Sequence, residues 1–158
     1  MKKYDEKKKK IIVDADACPV KKEIVSLAST YQMEVVFVAS YAHVVSYDIG
    51  GKWVYVDSQK EEVDLYIMNH ASKGDIVVTQ DIGLASILVK RDVIAISPRG
   101  KRYLEKDMDA VLHVRYLAAK ERRAGSHSKG PKPFTESDRQ NFITSLEGIC
   151  RNLQGFSI

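Results

Sequence analysis

Two kinds of apolar patterning alternate along this chain. Compact apolar runs recur at 11–14 (IIVD), 33–39 (MEVVFVA), 75–79 (DIVVT) and 93–96 (VIAI), with a short alternating segment at 53–56 (WVYV). Runs this short, rich in β-branched residues and bounded by charged or turn-forming ones, predict strands. The continuous runs have the look of strands covered on both faces. Between them, Val20, Ile24, Leu27 and Ala28 recur at helical spacing and predict an amphipathic helix over 18–30. Helices are likewise predicted at 60–72 and 81–90. Strands alternating with helices in βαβ-sized steps predict a parallel α/β sheet with crossover helices.

Local signals refine the boundaries. Pro19 suits the first turn of the helix that follows it. Ser58 and Glu61 have capping-box spacing ahead of 60–72, and Thr135 with Asp138 marks the start of a last helix running to about Leu153. Gly50-Gly51 closes an irregular stretch before 53–56. The segment 97–107 (SPRGKRYLEKD) reads as a basic loop or hairpin, 108–123 as a helix, and 124–133 (AGSHSKGPKP) as a basic, mobile linker. The whole of 11–158 is expected to form one domain, with 1–10 a Lys-rich disordered tail and the last helix packed back on the sheet.

Charge changes this picture more than composition does. The formal net charge of +4 resides entirely in residues 1–10, with six lysines against Asp5 and Glu6. The remainder is neutral but polarised. Residues 11–89 hold five basic and eleven acidic side chains, and residues 90–139 hold thirteen basic and seven acidic. That distribution suits a site that holds a cation and then receives a polyanion. No apolar run approaches the ~20 residues that span a bilayer, and the N-terminus lacks the apolar core of a signal peptide. A cytoplasmic protein is expected. The two cysteines, Cys18 and Cys150, are too far apart in sequence for a CxxC zinc motif and too few for a disulfide framework. Cys18 reads as a small buried residue behind the carboxylates. No glycine-rich phosphate loop is present, so a nucleotide cofactor has no support.

The candidate chemistry lies in four aspartates. Asp14 and Asp16 stand where the first strand hands over to a helix, the edge at which open α/β sheets form ligand crevices. Spaced two apart, they point to one side if the chain stays extended. Asp81 follows the run IVVT as Asp14 follows IIV, which puts both on one sheet edge; the plainer alternative for Asp81 is a helix N-cap. Asp64 neighbours Ile67 and Met68 at helical spacing, so it borders an apolar stripe where a carboxylate needs a partner. Asp57 and Asp75 fit strand ends or turns. Hard oxygen ligands without His or Cys point to Mg²⁺ or Mn²⁺. His70 and His113 read as surface or core residues, and His127 falls in the linker. Arg99, Lys101 and Arg102 follow the last strand, and Arg122, Arg123 and Lys132 follow later; these could hold phosphates. Ser40, Thr79 and Ser97 end strands on the same edge and could donate to a bound anion, or simply close local turns.

With these residues in view, the chain resembles the YaiI/YqxD family of bacterial proteins. The resemblance rests on VDADACPV at 13–20, Val63-Asp64, VVTQDIGLA at 77–85, SPRGKRY at 97–103 and GPKPFTESDRQNF at 130–142, and spans nearly everything after the Lys-rich tip. It implies a PIN-like fold, a parallel sheet flanked by helices with acids at the strand ends. PIN-like nucleases place acids after the first strand, in the helix before the fourth strand and after that strand. Here these correspond to Asp14 and Asp16, Asp64, and Asp81.

The expectation is therefore a Mg²⁺- or Mn²⁺-dependent phosphodiesterase acting on RNA or single-stranded nucleic acid, with Asp14, Asp16, Asp64 and Asp81 as catalytic metal ligands. Two alternatives stand beside it. One is a haloacid-dehalogenase-type phosphatase with Asp14 as nucleophile and Asp16 as acid/base, which lacks the paired acids expected late in the chain. The other is a metal-stabilised RNA-binding or regulatory protein with structural acids.

Overall fold

Every strand and helix expected from the apolar pattern is present. The protein, described by a computed structural model over residues 8–41, 49–59, 61–125 and 132–154, is an α/β fold. Its elements run β1 (Lys10–Asp14), α1 (Lys21–Thr30), β2 (Glu34–Ser40), β3 (Lys52–Val56), α2 (Glu62–His70), β4 (Ile76–Val78), α3 (Ile82–Lys90), β5 (Ile94–Ile96), β6 (Arg102–Tyr103), α4 (Glu105–Arg123) and α5 (Glu136–Leu153). No helix among the described residues is long and apolar enough to cross a membrane.

The six strands form one sheet in the order β3-β2-β1-β4-β5-β6, parallel except for the β5–β6 pair. From β1 the chain first winds outward through β2 and β3, then returns across α2 to β4 on the other side of β1. The strand order thus reverses between β1 and β4, and the crevice outside their carboxyl ends is where ligands bind in open sheets.

β1 explains the continuous apolar run. Ile12 sits between Val36 of β2 and Val77 of β4, and its side chain packs with Ile67 of α2 and with Leu84 and Leu88 of α3. Ile11 and Val13 face the other way, onto Ile24 and Leu27 of α1 and Phe142, Leu146 and Ile149 of α5. A strand covered on both faces has no position for a polar residue until its end, which is where Asp14 falls. α5 is held at its start by a complete capping box: Thr135 Oγ1 accepts from Asp138 N at 3.1 Å and Asp138 Oδ2 accepts from Thr135 N at 3.0 Å. Thr135→Ala is expected to lower stability by about 1 kcal/mol, a fall in Tm of about 2–4 °C by calorimetry. An unchanged Tm would mean that α5 is held without its cap.

Three boundaries differ from expectation. α1 begins at Lys21, capped by Val20, because Ala15–Pro19 must first carry Asp16 across to β2; Pro19 therefore precedes the helix. α2 begins at Glu62. Ser58 does not cap it: Glu61 is the cap residue, in the left-handed conformation (φ 72°), and its side chain makes no capping hydrogen bond. The 97–107 segment resolves into a hairpin that supplies β6, with α4 starting at Glu105. His70 stacks on Tyr66 on the surface of α2 and His113 is exposed on α4, whereas His127 and most of the expected linker lie outside the described residues. Asp75 is the buried partner of Lys10, at the opposite end of the sheet from Asp14.

Candidate active site

Pairing β1 with β4 puts Thr79, the first residue after β4, beside Asp14, the last residue of β1. Thr79 Oγ1 donates to Asp14 Oδ2 at 3.0 Å and accepts from Asp81 N at 3.0 Å. Its own backbone is fixed by Ile96 O, which accepts from Thr79 N, and by the Tyr103 hydroxyl, which donates to Thr79 O. Thr79 therefore orients Asp14 and the turn that carries Asp81. It does not present a vacant donor to an anion, because its hydroxyl proton goes to Asp14.

Asp81 satisfies both of its readings at once. It caps α3, with Oδ1 accepting from Leu84 N at 3.0 Å, and it stands within electrostatic reach of Asp14 and Asp64. Asp64 enters from the first turn of α2. Burial, then the charge of Asp81, push its pKa from 3.8 up to about 7, and the protonated carboxyl hydrogen-bonds Asp81. Asp14 is raised as well, chiefly by burial and further by Asp16 and Asp81, against the lowering effect of Thr79. Asp16 joins differently from the expected extended geometry. The chain turns after Asp14, and Asp16 Oδ1 accepts from Ser40 N at 2.8 Å, tying the β1–α1 loop to the end of β2. Gln80 Nε2 donates to Ala17 O and ties the same loop to the β4–α3 turn.

The repulsion in this cluster has a measurable consequence. A folded-state pKa raised above the unfolded value favours folding in the protonated form, so stability falls as pH rises from about 4 to about 7 and stays lowered above that. Asp64→Asn is expected to raise Tm at about pH 8 and change it little at about pH 4. Because Asp64 is partly exposed and screened, the gain is about 1 kcal/mol, or about 2–4 °C. A lower Tm for the variant at high pH would show that the carboxylate is stabilising.

Clefts open on both sides of the acids. One, of about 330 Å³, is lined by Glu61, Asp64, Asp81 and Arg115 together with Leu65, Met68 and Ile87. The other, of about 370 Å³, lies between Asp16, Lys21, Gln80, Arg99 and Phe134. The donor set is entirely hard oxygen, which suits Mg²⁺ or Mn²⁺. Among the described residues, no three or more Asp, Glu, His or Cys side chains are already arranged to hold a metal ion, so shared coordination requires side-chain rotation or bridging waters. Cys18 is buried with its thiol pKa pushed up to about 11, mainly by burial, which disfavours the nucleophilic thiolate.

The expected basic and polar residues are only partly gathered here. Arg99 borders the Asp16-side cleft, but its guanidinium pairs with Asp138 and donates to the carbonyls of Lys132 and Pro133. Ser97 closes the hairpin, its Oγ accepting from Lys101 N. Lys101, Arg102 and Lys132 are exposed. Arg122 and Arg123 end α4, about 10 Å along the helix beyond Arg115. Ser40 contributes its backbone N–H to Asp16.

Arg115 is a site residue that the sequence reading misses: its Nη1 lies 3.8 Å from Asp81 Oδ1. The signal that could have found it is spacing, since Met108, Val111 and Arg115 share one helix face and a cation stands where the period calls for an apolar residue.

A model of the uncharacterised bacterial YaiI/YqxD family matches residues 12–152. A UPF0178 protein of Bacillus cytotoxicus is 54% identical over 146 residues, 92% of this chain and 95% of that protein. One from Bacillus velezensis is 51% identical over 154 residues (97% and 92%), and one from Listeria welshimeri 52% over 143 (90% and 96%). No solved structure matches the chain. The matched span contains Asp14, Asp16, Asp64 and Asp81, and the chain belongs to the YaiI/YqxD family.

Proposed function

We propose that this protein is a Mg²⁺- or Mn²⁺-dependent phosphodiesterase acting on RNA or single-stranded nucleic acid. The observation that carries the reading is the gathering of Asp14, Asp64 and Asp81, from three separate elements, at the point where the strand order reverses, where burial and then the charge of Asp81 raise the pKa of Asp64 to about 7. Repelling carboxylates cost stability, and a divalent cation is the partner that offsets them. The order of these acids is also the one that a PIN-like resemblance implies; that likeness is at the level of fold and does not by itself assign activity.

Asp14, Asp64 and Asp81 would hold the cation directly or through water, with Asp16 at the margin. The bound cation would supply a water of lowered pKa and neutralise charge developing on the phosphoryl oxygens. Thr79 Oγ1 holds one oxygen of Asp14 and the N–H of Leu84 holds one oxygen of Asp81, so a cation held through bridging waters would not require either acid to turn. The phosphatase alternative needs a lysine beside the nucleophilic carboxylate, whereas among the described residues the cation paired with this cluster is Arg115, on Asp81.

The test is incubation of the full chain with labelled mixed-sequence RNA and single-stranded DNA, with Mg²⁺, with Mn²⁺ and with chelator. Metal-dependent cleavage is the expected result. Binding without cleavage, accompanied by a metal-dependent rise in Tm, would instead establish a metal-stabilised nucleic-acid-binding protein.

A further inference from the structure

We propose that Arg115 is the anion-binding residue of this site, its guanidinium taking a substrate phosphate beside the acid cluster. The identity of the substrate rests on the phosphodiesterase reading above; the placement of the arginine does not.

α4 positions Arg115 through its neighbours on one helix face. Met108 is buried against Ala85, Val89 and Tyr103, and Val111 packs on the same group. Arg115 continues that face by one turn, so its stem follows α3 and its head reaches the start of α3, where Asp81 stands. Room for the head is provided by Gly83. A Cβ there would lie 3.2 Å from both Arg115 Nη1 and Asp81 Oδ1, tighter than ordinary contact.

The Arg115–Asp81 pair is not built for stability. At 3.8 Å it is longer than a hydrogen bond, and the arginine side chain is 53% exposed, so the pair contributes little to folding. Among the described residues, three other cations near this edge have firmer partners. Arg99 holds Asp138 at the start of α5, Arg139 makes a two-pronged contact with Glu23, and Lys21 Nζ donates to Cys18 O at 2.8 Å. A loosely held, half-exposed guanidinium at the mouth of a cleft offers a planar pair of donors that matches two phosphate oxygens. The neighbouring carboxylates would repel a phosphate unless neutralised, which sets the conditions of the test.

The full chain labelled with ¹⁵N-arginine is titrated with inorganic phosphate in the presence of Mg²⁺, the Arg115 Nε–H signal being assigned by its loss in Arg115→Lys. A saturable shift of that signal is expected; an unmoved Arg115 signal overturns the proposal. In parallel, binding of a labelled single-stranded RNA is compared for Arg115→Ala and Lys120→Ala, which remove the same charge from the same helix. About a tenfold loss is expected for Arg115→Ala and less than about twofold for Lys120→Ala. Equal losses would reduce Arg115 to general electrostatics and also overturn the proposal. A phosphate shift at Arg115 without cleavage of any nucleic acid would uphold it while overturning the phosphodiesterase reading.

Discussion

Asp14→Asn is expected to lose metal-dependent cleavage by more than ~100-fold while remaining folded, because even groups that only support metal ligands typically contribute 10–100-fold. Asparagine keeps the shape of aspartate and an oxygen that can accept from Thr79 Oγ1, so the link between β1 and the β4–α3 turn survives. It removes a buried charge that Asp16 and Asp81 repel. The variant should therefore melt at the same temperature as the wild type or about 2–4 °C higher near pH 8, and should respond less to Mg²⁺. Turnover and Tm must be measured on the same preparation. Retained cleavage would remove Asp14 from the chemistry. An unfolded variant would make it a structural residue and leave the activity argument to Asp64 and Asp81.

The largest expected effect on stability lies away from the acids, at Gly100→Ala. Gly100 has φ 92°, outside the comfortable range of an L-residue, and its N–H donates to Ser97 O in the turn between β5 and β6. A Cβ at this position would lie 2.6 Å from the backbone carbon and oxygen of Asn141 and 2.8 Å from Phe142 N. These are main-chain atoms of α5, which cannot yield as a flexible side chain would. To make room the hairpin and α5 must separate, loosening Phe142 and Leu146 in the core and stretching the Arg99–Asp138 contact. Backbone strain and overpacking together are expected to cost about 3 kcal/mol, a Tm lower by about 6–12 °C. Gly148→Ala in the same helix is the control. Nothing lies within 4 Å of a Cβ there, so the change should stabilise by about 0.5–1 kcal/mol through helix propensity. A Gly100→Ala protein as stable as wild type would show that the hairpin does not rest against α5.

Residues whose role follows from their immediate neighbours in the chain are legible in the sequence alone. The apolar runs at 11–14, 33–39 and 75–79 are strands because nothing but a sheet covered on both faces accommodates them. Asp14 and Asp81 fall on one edge of the sheet, that of the candidate site, because each directly follows such a run in a parallel sheet. The Thr135–Asp138 cap and the burial of Cys18 are equally local. The Ser58–Glu61 spacing misleads, since a left-handed Glu61 starts α2 without using a side chain, and no local pattern announces that geometry.

What the tertiary structure decided is which distant residues meet. That β1 lies between β2 and β4 is set by crossovers, and from it follow the Thr79–Asp14 hydrogen bond across 65 residues and the raised pKa of Asp64, buried beside Asp81. Arg99 has the composition of a phosphate ligand, but the hairpin turns it onto the start of α5. Arg115 has the appearance of an ordinary helix-surface charge, but α4 lays it over Gly83 and against Asp81. By itself, the sequence determined the strands, the helices and the acids at their junctions, because periodicity and capping act within a few residues. Partner choice, charge coupling and the division of arginines between scaffold and site depend on through-space distances of a few ångströms, and only the packed chain sets those.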